Sequence, residues 1–321
     1  MRRALIRFAG IVASAALVLW GAATLAFLAF RIIPGDAVSV MLGPQAKVSE
    51  SVKAAVRAEL GLDRPPLEQY LTYVGGLLRG DLGTSYQLRM PVTEVIGRQL
   101  GPTLQLTALA LAIAVLIALA VALLARRGVA RAVAVAGELI VLSSPVFWIG
   151  IILLAVFAFG LGWFPVAGTR SAATVVLPAL TLALPVAALI GQVLRDGIDE
   201  AERQPFAETV RSRGATASRI VLRHSLRHGA AGALTLTAYL IGSLLGGAVL
   251  VETVFARPGL GRVTLTAIVD RDLPVVAGVI MLSALVFVIV NVIVELLHPI
   301  IDPRLRARPG AFEAPAIRER R

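Results

Sequence analysis

Six stretches of this chain, each 22 to 27 residues long, carry no charged side chain: Phe8 to Phe30, Gln99 to Ala125, Leu139 to Leu161, Ser171 to Leu194, His228 to Val251 and Leu273 to Val294. A helix needs about 20 residues to cross the hydrocarbon core of a bilayer, so each run is long enough to span. Backbone amides have no water to bond within lipid, so a spanning segment is either a helix or a strand of a closed barrel. Nothing in these runs alternates apolar with polar residues as barrel strands do. The expected fold class is therefore an all-α integral membrane protein with six transmembrane helices. Only 16% of the 321 residues are charged while 57% are hydrophobic, too few charges to cover a soluble surface.

The first run follows Arg2, Arg3 and Arg7, the basic start of a signal sequence, but its apolar part exceeds the usual cleaved length. Residues 1–30 are expected to stay as a signal-anchor helix. Arginines set the orientation. Nineteen lie in the N-terminal segment, around Arg126 to Arg131, between Arg195 and Arg227 and in the tail from Arg304, whereas Arg170, Arg257, Arg262 and Arg271 fall in two short loops on the other side. The positive-inside rule then places both termini in the cytoplasm. The net charge of +11 is read as topological, with no nucleic acid partner expected.

Residues 31–98 form a long extracytoplasmic loop region. "SESVKAAVRAELG" reads as a helix with Ser49 or Ser51 as N-cap and Gly61 beyond its end, and "PPLEQYLTYVGGLLRG" as a second helix opened by Pro65 and Pro66. That region either shields the outer helix ends or offers a docking surface. Residues 99–301 hold the remaining five spans, and the Pro-rich, charged tail 302–321 is expected to be disordered in the cytoplasm.

The chain lacks the chemistry of an enzyme. It has no cysteine, so disulfides and thiolate metal sites are excluded, and no catalytic residue is expected. The P-loop needs Gly-Lys-Ser/Thr, and the only lysines, Lys47 and Lys53, follow Ala46 and Val52. If nucleotide drives this protein, the ATPase is another subunit. His224 and His228 share a helical face without a third ligand, so no metal site is expected. Glu295 and His298 read as an interfacial pair near the end of the last span, and Glu138 as a group near the headgroups within reach of Arg131 or Arg195.

Between the fourth and fifth runs lies "PFAETVRSRGATASRIVLRH", Pro205 to His224. Its proline starts a helix and Gly214 interrupts it, which predicts two short helices bent near the glycine. Glu202 and Glu208 stand among arginines, and Ala207, Ser212, Ala215 and Ala217 permit close backbone approach. That mixture suits a protein groove better than anionic lipid. "ETVFARPGLGR" follows the fifth run on the outer side, where Gly259 and Gly261 beside Pro258 suggest tight turning and Phe255 and Leu260 an apolar plug.

"ETVRSRGATASRIVLRHSLRHG" resembles the EAA loop of ABC importer permeases, and most closely its peptide/nickel version. The resemblance extends through "RIIPGDAV", "LGLDRPPLEQY", "GDLGTSY", "SSPVFWIG", "GGAVLVETVFARPGLGR", "RDLPVV" and "DPRLR", all similar to the B-type subunit of dipeptide and oligopeptide importers. It departs from the family pattern at Gln192, Ser212, His228 and Gly232. The resemblance implies the type I ABC importer permease fold in the bacterial inner membrane. It implies four kinds of partner: a second homologous permease, two ATPase subunits or domains that bind ATP and Mg, an extracytoplasmic solute-binding protein, and membrane lipid.

On this resemblance segment 199–227 holds the coupling loop, with Phe206, Ala207, Glu208, Arg211, Arg213, Gly214 and Ala215 facing the ATPase. From the residues themselves, Glu252, Phe255, Pro258, Gly259, Leu260 and Gly261 read as part of an outer gate, the alternative being a plain connector, and Ser143, Ser144, Pro145 and Gln192 as lining the translocation path, the alternative for the serines being an ordinary interhelical hydrogen bond. The solute is read as dipeptides or oligopeptides, with nickel chelates, glutathione, opines or haem as alternatives. A secondary transporter would need a mid-membrane ion site, and an intramembrane enzyme an acid pair or metal cluster at one depth. Neither is visible in the sequence.

Overall fold

The computed structural model describes residues 2–32, 38, 49–59, 61–168 and 171–301. Outside the described residues fall Lys47, Arg170, the segment 33–37 and the tail 302–321, together with the side chains of Arg2, Arg3, Arg7, Glu295 and His298. Twelve α-helices are described: α1 Arg2–Ile32, α2 Glu50–Glu59, α3 Pro66–Leu78, α4 Val92–Leu124, α5 Gly128–Ser143, α6 Val146–Leu153, α7 Val176–Arg203, α8 Pro205–Ser212, α9 Ala217–Ile220, α10 Leu226–Val254, α11 Leu260–Val269 and α12 Leu273–Ile301.

Five helical stretches are long and apolar enough to cross a membrane: Ala9–Ala29, Val92–Leu124, Ala172–Arg203, Ala217–Val254 and Leu273–Ile293. The run Leu139 to Leu161, expected to form one helical span, is broken. It is cut at Ser144 and Pro145, and the two parts, α5 and the helix from Val146 to Gly160, are bent by 111°. Pro145 has no amide hydrogen to continue α5, and its ring would meet the carbonyl one turn back. Ser144, the residue before it, is held extended at φ −95° and ψ 136°, as a pre-proline residue prefers. Among the described residues that bent pair, counted as one, makes the sixth span.

The core is a seam of small side chains. Ala110, Ala114, Ala118 and Ala122 recur every fourth residue on α4, each at most 1% exposed, and lie in one cluster with Ala179, Ala183 and Ala187 of α7. Without large side chains between them the two backbones approach closely, which is how helices associate when lipid removes the hydrophobic drive. The seam tightens where α7 meets α10. A Cβ placed on Gly197 would stand 2.5 Å from the Cα of Gly229, and one on Gly229 would stand 2.8 Å from the carbonyl oxygen of Leu194.

The first loop contains the two expected helices. The Ser49 carbonyl accepts the amides of Val52 and Lys53 at 3.1 and 3.2 Å, Gly61 sits beyond α2 at φ +64°, and Pro65 precedes α3 with Pro66 in its first turn. Helix α3 folds back on α1: the Thr24 and Tyr70 hydroxyls are 2.8 Å apart, and Phe27 packs edge-on against Tyr70 and stacks on Tyr73. Burial pushes the Tyr73 phenol up to about 12, with Tyr70 adding to the effect. Helix α4 begins at Val92, inside the expected loop region, and its first turn joins Leu260, Ala267 and Val275 in a second apolar cluster.

Candidate functional site: an inner platform and an outer corner

The inner platform starts where α7 ends. After Gln204, Pro205 opens α8, and α8 stops in a Schellman turn: the Gly214 amide donates to the Arg211 carbonyl at 2.9 Å and the Ala215 amide to Val210 at 3.3 Å. Gly214 takes φ +81°, the left-handed conformation that this turn requires. The Thr216 hydroxyl then accepts the Arg219 amide at 3.4 Å, starting α9, and a π-helical turn over Val221–Ser225 leads into α10.

The two short helices bent at the glycine are therefore present, but the proposed docking residues do not share one surface. Ala207 has no exposed area and packs against its own chain. Phe206 stacks on His228 with ring centres 5.4 Å apart and leans on His224 at 6.4 Å. Ala215 is half-buried. What remains outward is Glu208, Arg211, Arg213 and Gly214, with Thr209 and Ser212 between them. Glu202 belongs elsewhere: its carboxylate takes Arg126 and, at 3.8 Å, Arg127.

The outer corner is organised by Glu252, which is fully buried. Its carboxylate accepts the Thr103 hydroxyl at 2.6 Å and the amides of Gly261 and Arg262 at 2.8 and 3.2 Å. Thr103 in turn accepts the Leu260 amide at 2.8 Å. These three amides are the ones that the start of α11 leaves without a helical partner, and a negative charge there is favoured by the helix dipole. Sequence reasoning placed Glu252 at a gate but missed that it caps a helix, and it missed Thr103 altogether.

Two expectations change here. Gly259 and Gly261 are needed for space rather than for turning. Gly259 is extended at φ 166°, and its Cβ would fall 2.0 Å from the Glu252 carboxylate, while one on Gly261 would fall 2.2 Å from the Val249 Cα. The turn itself is at Ala256, φ +47°. Phe255 and Leu260 do not form one plug: Phe255 joins the main core against Gly150 and Thr181, and Leu260 joins the second cluster. Pro258 is half-buried between them in the chain. Arg257 is buried beside them, its guanidinium donating to Gln105 at 3.1 Å and its amide to the Glu252 carbonyl at 2.8 Å, and burial lowers its pKa against the opposing pull of Glu252.

Beside this corner Asp272, 2% exposed, accepts the Ser85 hydroxyl and the amides of Tyr86 and Gln87 at 3.0 and 3.3 Å. It joins "GDLGTSY" to "RDLPVV". Burial, and then the charge of Asp272, raise the pKa of Tyr86. An apolar cavity of about 660 Å³ lies next to the corner, walled by Leu104, Tyr239, Leu245 and Phe287 and reaching Thr103 and Gly261.

The residues expected along the path sit apart from both ends. Ser143 and Pro145 are exposed at the break, the Ser144 hydroxyl donates to the Ile140 carbonyl at 2.7 Å, and Gln192 is half-buried on α7. Glu138 is buried and pairs with Arg195 rather than Arg131. Among the described residues no group of three His, Cys, Asp or Glu could hold a metal ion.

Residues 114–307 match the family described as "Binding-protein-dependent transport system inner membrane component", and residues 1–107 match "Binding-prot-dependent transport system membrane comp, N-term". The chain belongs to this family of ABC importer permeases. The glutathione transport system permease protein GsiC of Salmonella choleraesuis (strain SC-B67) is 34% identical over 291 residues, covering 88% of this chain and 93% of the relative. The same-named protein of Escherichia coli (strain K12) is 33% identical over 289 residues, with 88% and 92% covered. A solved amino acid ABC transporter with histidines aligns over 61% of this permease and 89% of that chain at 20% identity and TM-score 0.48, too slight a likeness to carry the assignment, which rests on the family match. The permease is thus a multi-pass inner-membrane protein of the peptide/nickel type, a membrane component and not the catalytic part of its importer.

Proposed function

We propose that this permease forms one half of the translocation pathway of an ATP-driven importer of short peptides, glutathione included, since glutathione is itself a tripeptide. The observation that carries the reading is the inner platform. Its outward face of Glu208, Arg211, Arg213 and Gly214 stands on a base fixed by Phe206, Ala207, Ile220 and Val221, all packed against their own chain. A mixed-charge surface on a rigid base suits docking into a protein groove and passing on a displacement. ATPase subunits holding ATP and Mg dock there from the cytoplasm, where both termini lie. A homologous permease supplies the other half of the pathway, and an extracytoplasmic binding protein delivers solute to residues 49–80. The GsiC relatives, described as glutathione permeases, support the peptide class.

The test is uptake of labelled dipeptide, tripeptide and glutathione into proteoliposomes holding this chain with the permease, ATPase and binding proteins encoded beside it. Uptake of one of these solutes that requires both ATP and binding protein is expected. Uptake by this chain alone, driven by an ion gradient, overturns the reading in favour of a secondary transporter.

A further inference from the structure

Three acid–base pairs run in a row along one face of α7. Arg195 holds Glu138 of α5 through both guanidinium nitrogens, one at 2.6 Å. Asp199 holds Arg131 of α5 at 2.6 Å. Glu202 holds Arg126, at the corner between α4 and α5. Positions 195, 199 and 202 are one and two turns apart on a helix, so they share a face. Their partners fall in reverse order along the chain, 138, 131 and 126, so the two elements run antiparallel.

The signs of these charges are informative. Helix α7 presents plus, minus, minus, and the facing element presents minus, plus, plus. Sliding α7 by one turn in one direction sets Asp199 against Glu138, and in the other direction it sets Arg195 against Arg131. Both slips bring like charges together, the first at buried Glu138 and the second at partly exposed Arg131, and both are disfavoured, the first more. Buried ion pairs add little net stability but do fix register. On its other side α7 is pressed to α10 at Gly197 and Gly229, leaving no room for a side chain. One residue beyond α7, Pro205 opens α8, and at the far end of α5 is the break at Ser144 and Pro145.

We propose that this ladder is a register lock. It makes α7 and α5 one rigid lever, so that a displacement at α8 reaches the Ser144–Pro145 joint instead of being lost as sliding. Arg126, Arg131, Glu138, Arg195, Asp199 and Glu202 are then positioning residues for energy coupling. The proposal rests on the docking role given to α8.

The middle rung is the one to test, because its side chains are partly solvent-exposed, 39% for Arg131 and 25% for Asp199, so its loss leaves the fold standing. In the assembled importer, Asp199→Arg, Arg131→Asp and the double exchange are compared for solute imported per ATP hydrolysed, with ATPase copurification read in parallel. Each single reversal lowers the ratio by about fivefold or more, a coupling change of ordinary size, with the ATPase subunits retained. The double exchange restores the ratio to within about twofold, since opposite charges face each other again. Asp199→Asn, which removes the charge without repulsion, gives an intermediate loss and serves if a reversal fails to assemble. Unchanged ratios in the single variants, or failure of the assembled double exchange to recover, overturn the proposal. If the ladder variants uncouple while the Gly214→Val, Glu208→Arg double variant still binds the ATPases, the register lock between α5 and α7 stands and the displacement enters it elsewhere than at α8.

Discussion

The Glu252 carboxylate accepts the backbone amide of Gly261 at 2.8 Å, joining the end of α10 to the beginning of α11. The same carboxylate takes Thr103 from α4, so one side chain ties three helices at the outer end. Glu252→Ala leaves one hydroxyl and two amides unpartnered in a buried place, each worth about 1–3 kcal/mol. We expect a clear fall in the unfolding temperature of the detergent-solubilised protein, with Glu252→Gln retaining part of the network and falling less.

Gly259 and Gly261 separate two kinds of obstruction. The Cβ of Gly259→Ala meets the movable end of Glu252, whereas that of Gly261→Ala meets the Val249 backbone. Overpacking of this sort costs about 1–3 kcal/mol, with the upper end where backbone must shift. Gly261→Ala should therefore destabilise more than Gly259→Ala in thermal unfolding, and the reverse order would show that the Val249 backbone yields more readily than the Glu252 side chain.

Asp272→Ala should free the segment around Ser85 to Leu88 without disturbing the spans. Three donors lose their acceptor, a loss of about 1–3 kcal/mol for each donor that stays buried. Limited proteolysis from the outer side is expected to cut at Arg89 in the variant much faster than in the parent protein, while insertion is unchanged.

Gly214 tests the platform. Nothing lies within 4 Å of a Cβ there, so only the backbone conformation resists substitution. A β-branched residue in the left-handed region costs about 1–2 kcal/mol, and Asn much less. Gly214→Val should lower ATPase copurification and ATP-dependent uptake, Gly214→Asn should largely preserve both, and Glu208→Arg should reduce docking by altering charge alone. Normal copurification in the Gly214→Val, Glu208→Arg double variant would remove α8 as the docking element.

The spans were legible because lipid imposes a length and a composition that few other environments do, and α1, α4, α7, α10 and α12 all coincide with uncharged runs. Pro145 was equally visible, but whether a proline bends a helix mildly or turns it by 111° depends on what packs around it, which is not local information. The platform turn was readable from Gly214 because its hydrogen bonds stay within a few residues. Glu252, Asp272 and Thr103 were not readable as partners: the bond from Thr103 to Glu252 spans 149 positions and that from Ser85 to Asp272 spans 187. A signal did exist for Glu138, opposite charges at the margins of apolar runs, and it left Arg131 and Arg195 both open as partners, of which the structure pairs Arg195. Gly197 and Gly229 gave none, because a glycine that a neighbour requires looks like any other until the neighbour is seen.

The bend at Ser144 and Pro145 leaves non-helical backbone between apolar helices, with Ser143 and Pro145 uncovered by the rest of the chain. Such backbone is stable at membrane depth only against other protein or water. If the proposed second permease covers this bend, a chain made without it keeps that backbone uncovered in the membrane. On that reading the chain is stable as half of a pair and not alone, so the bend would set how the two permeases must be made together.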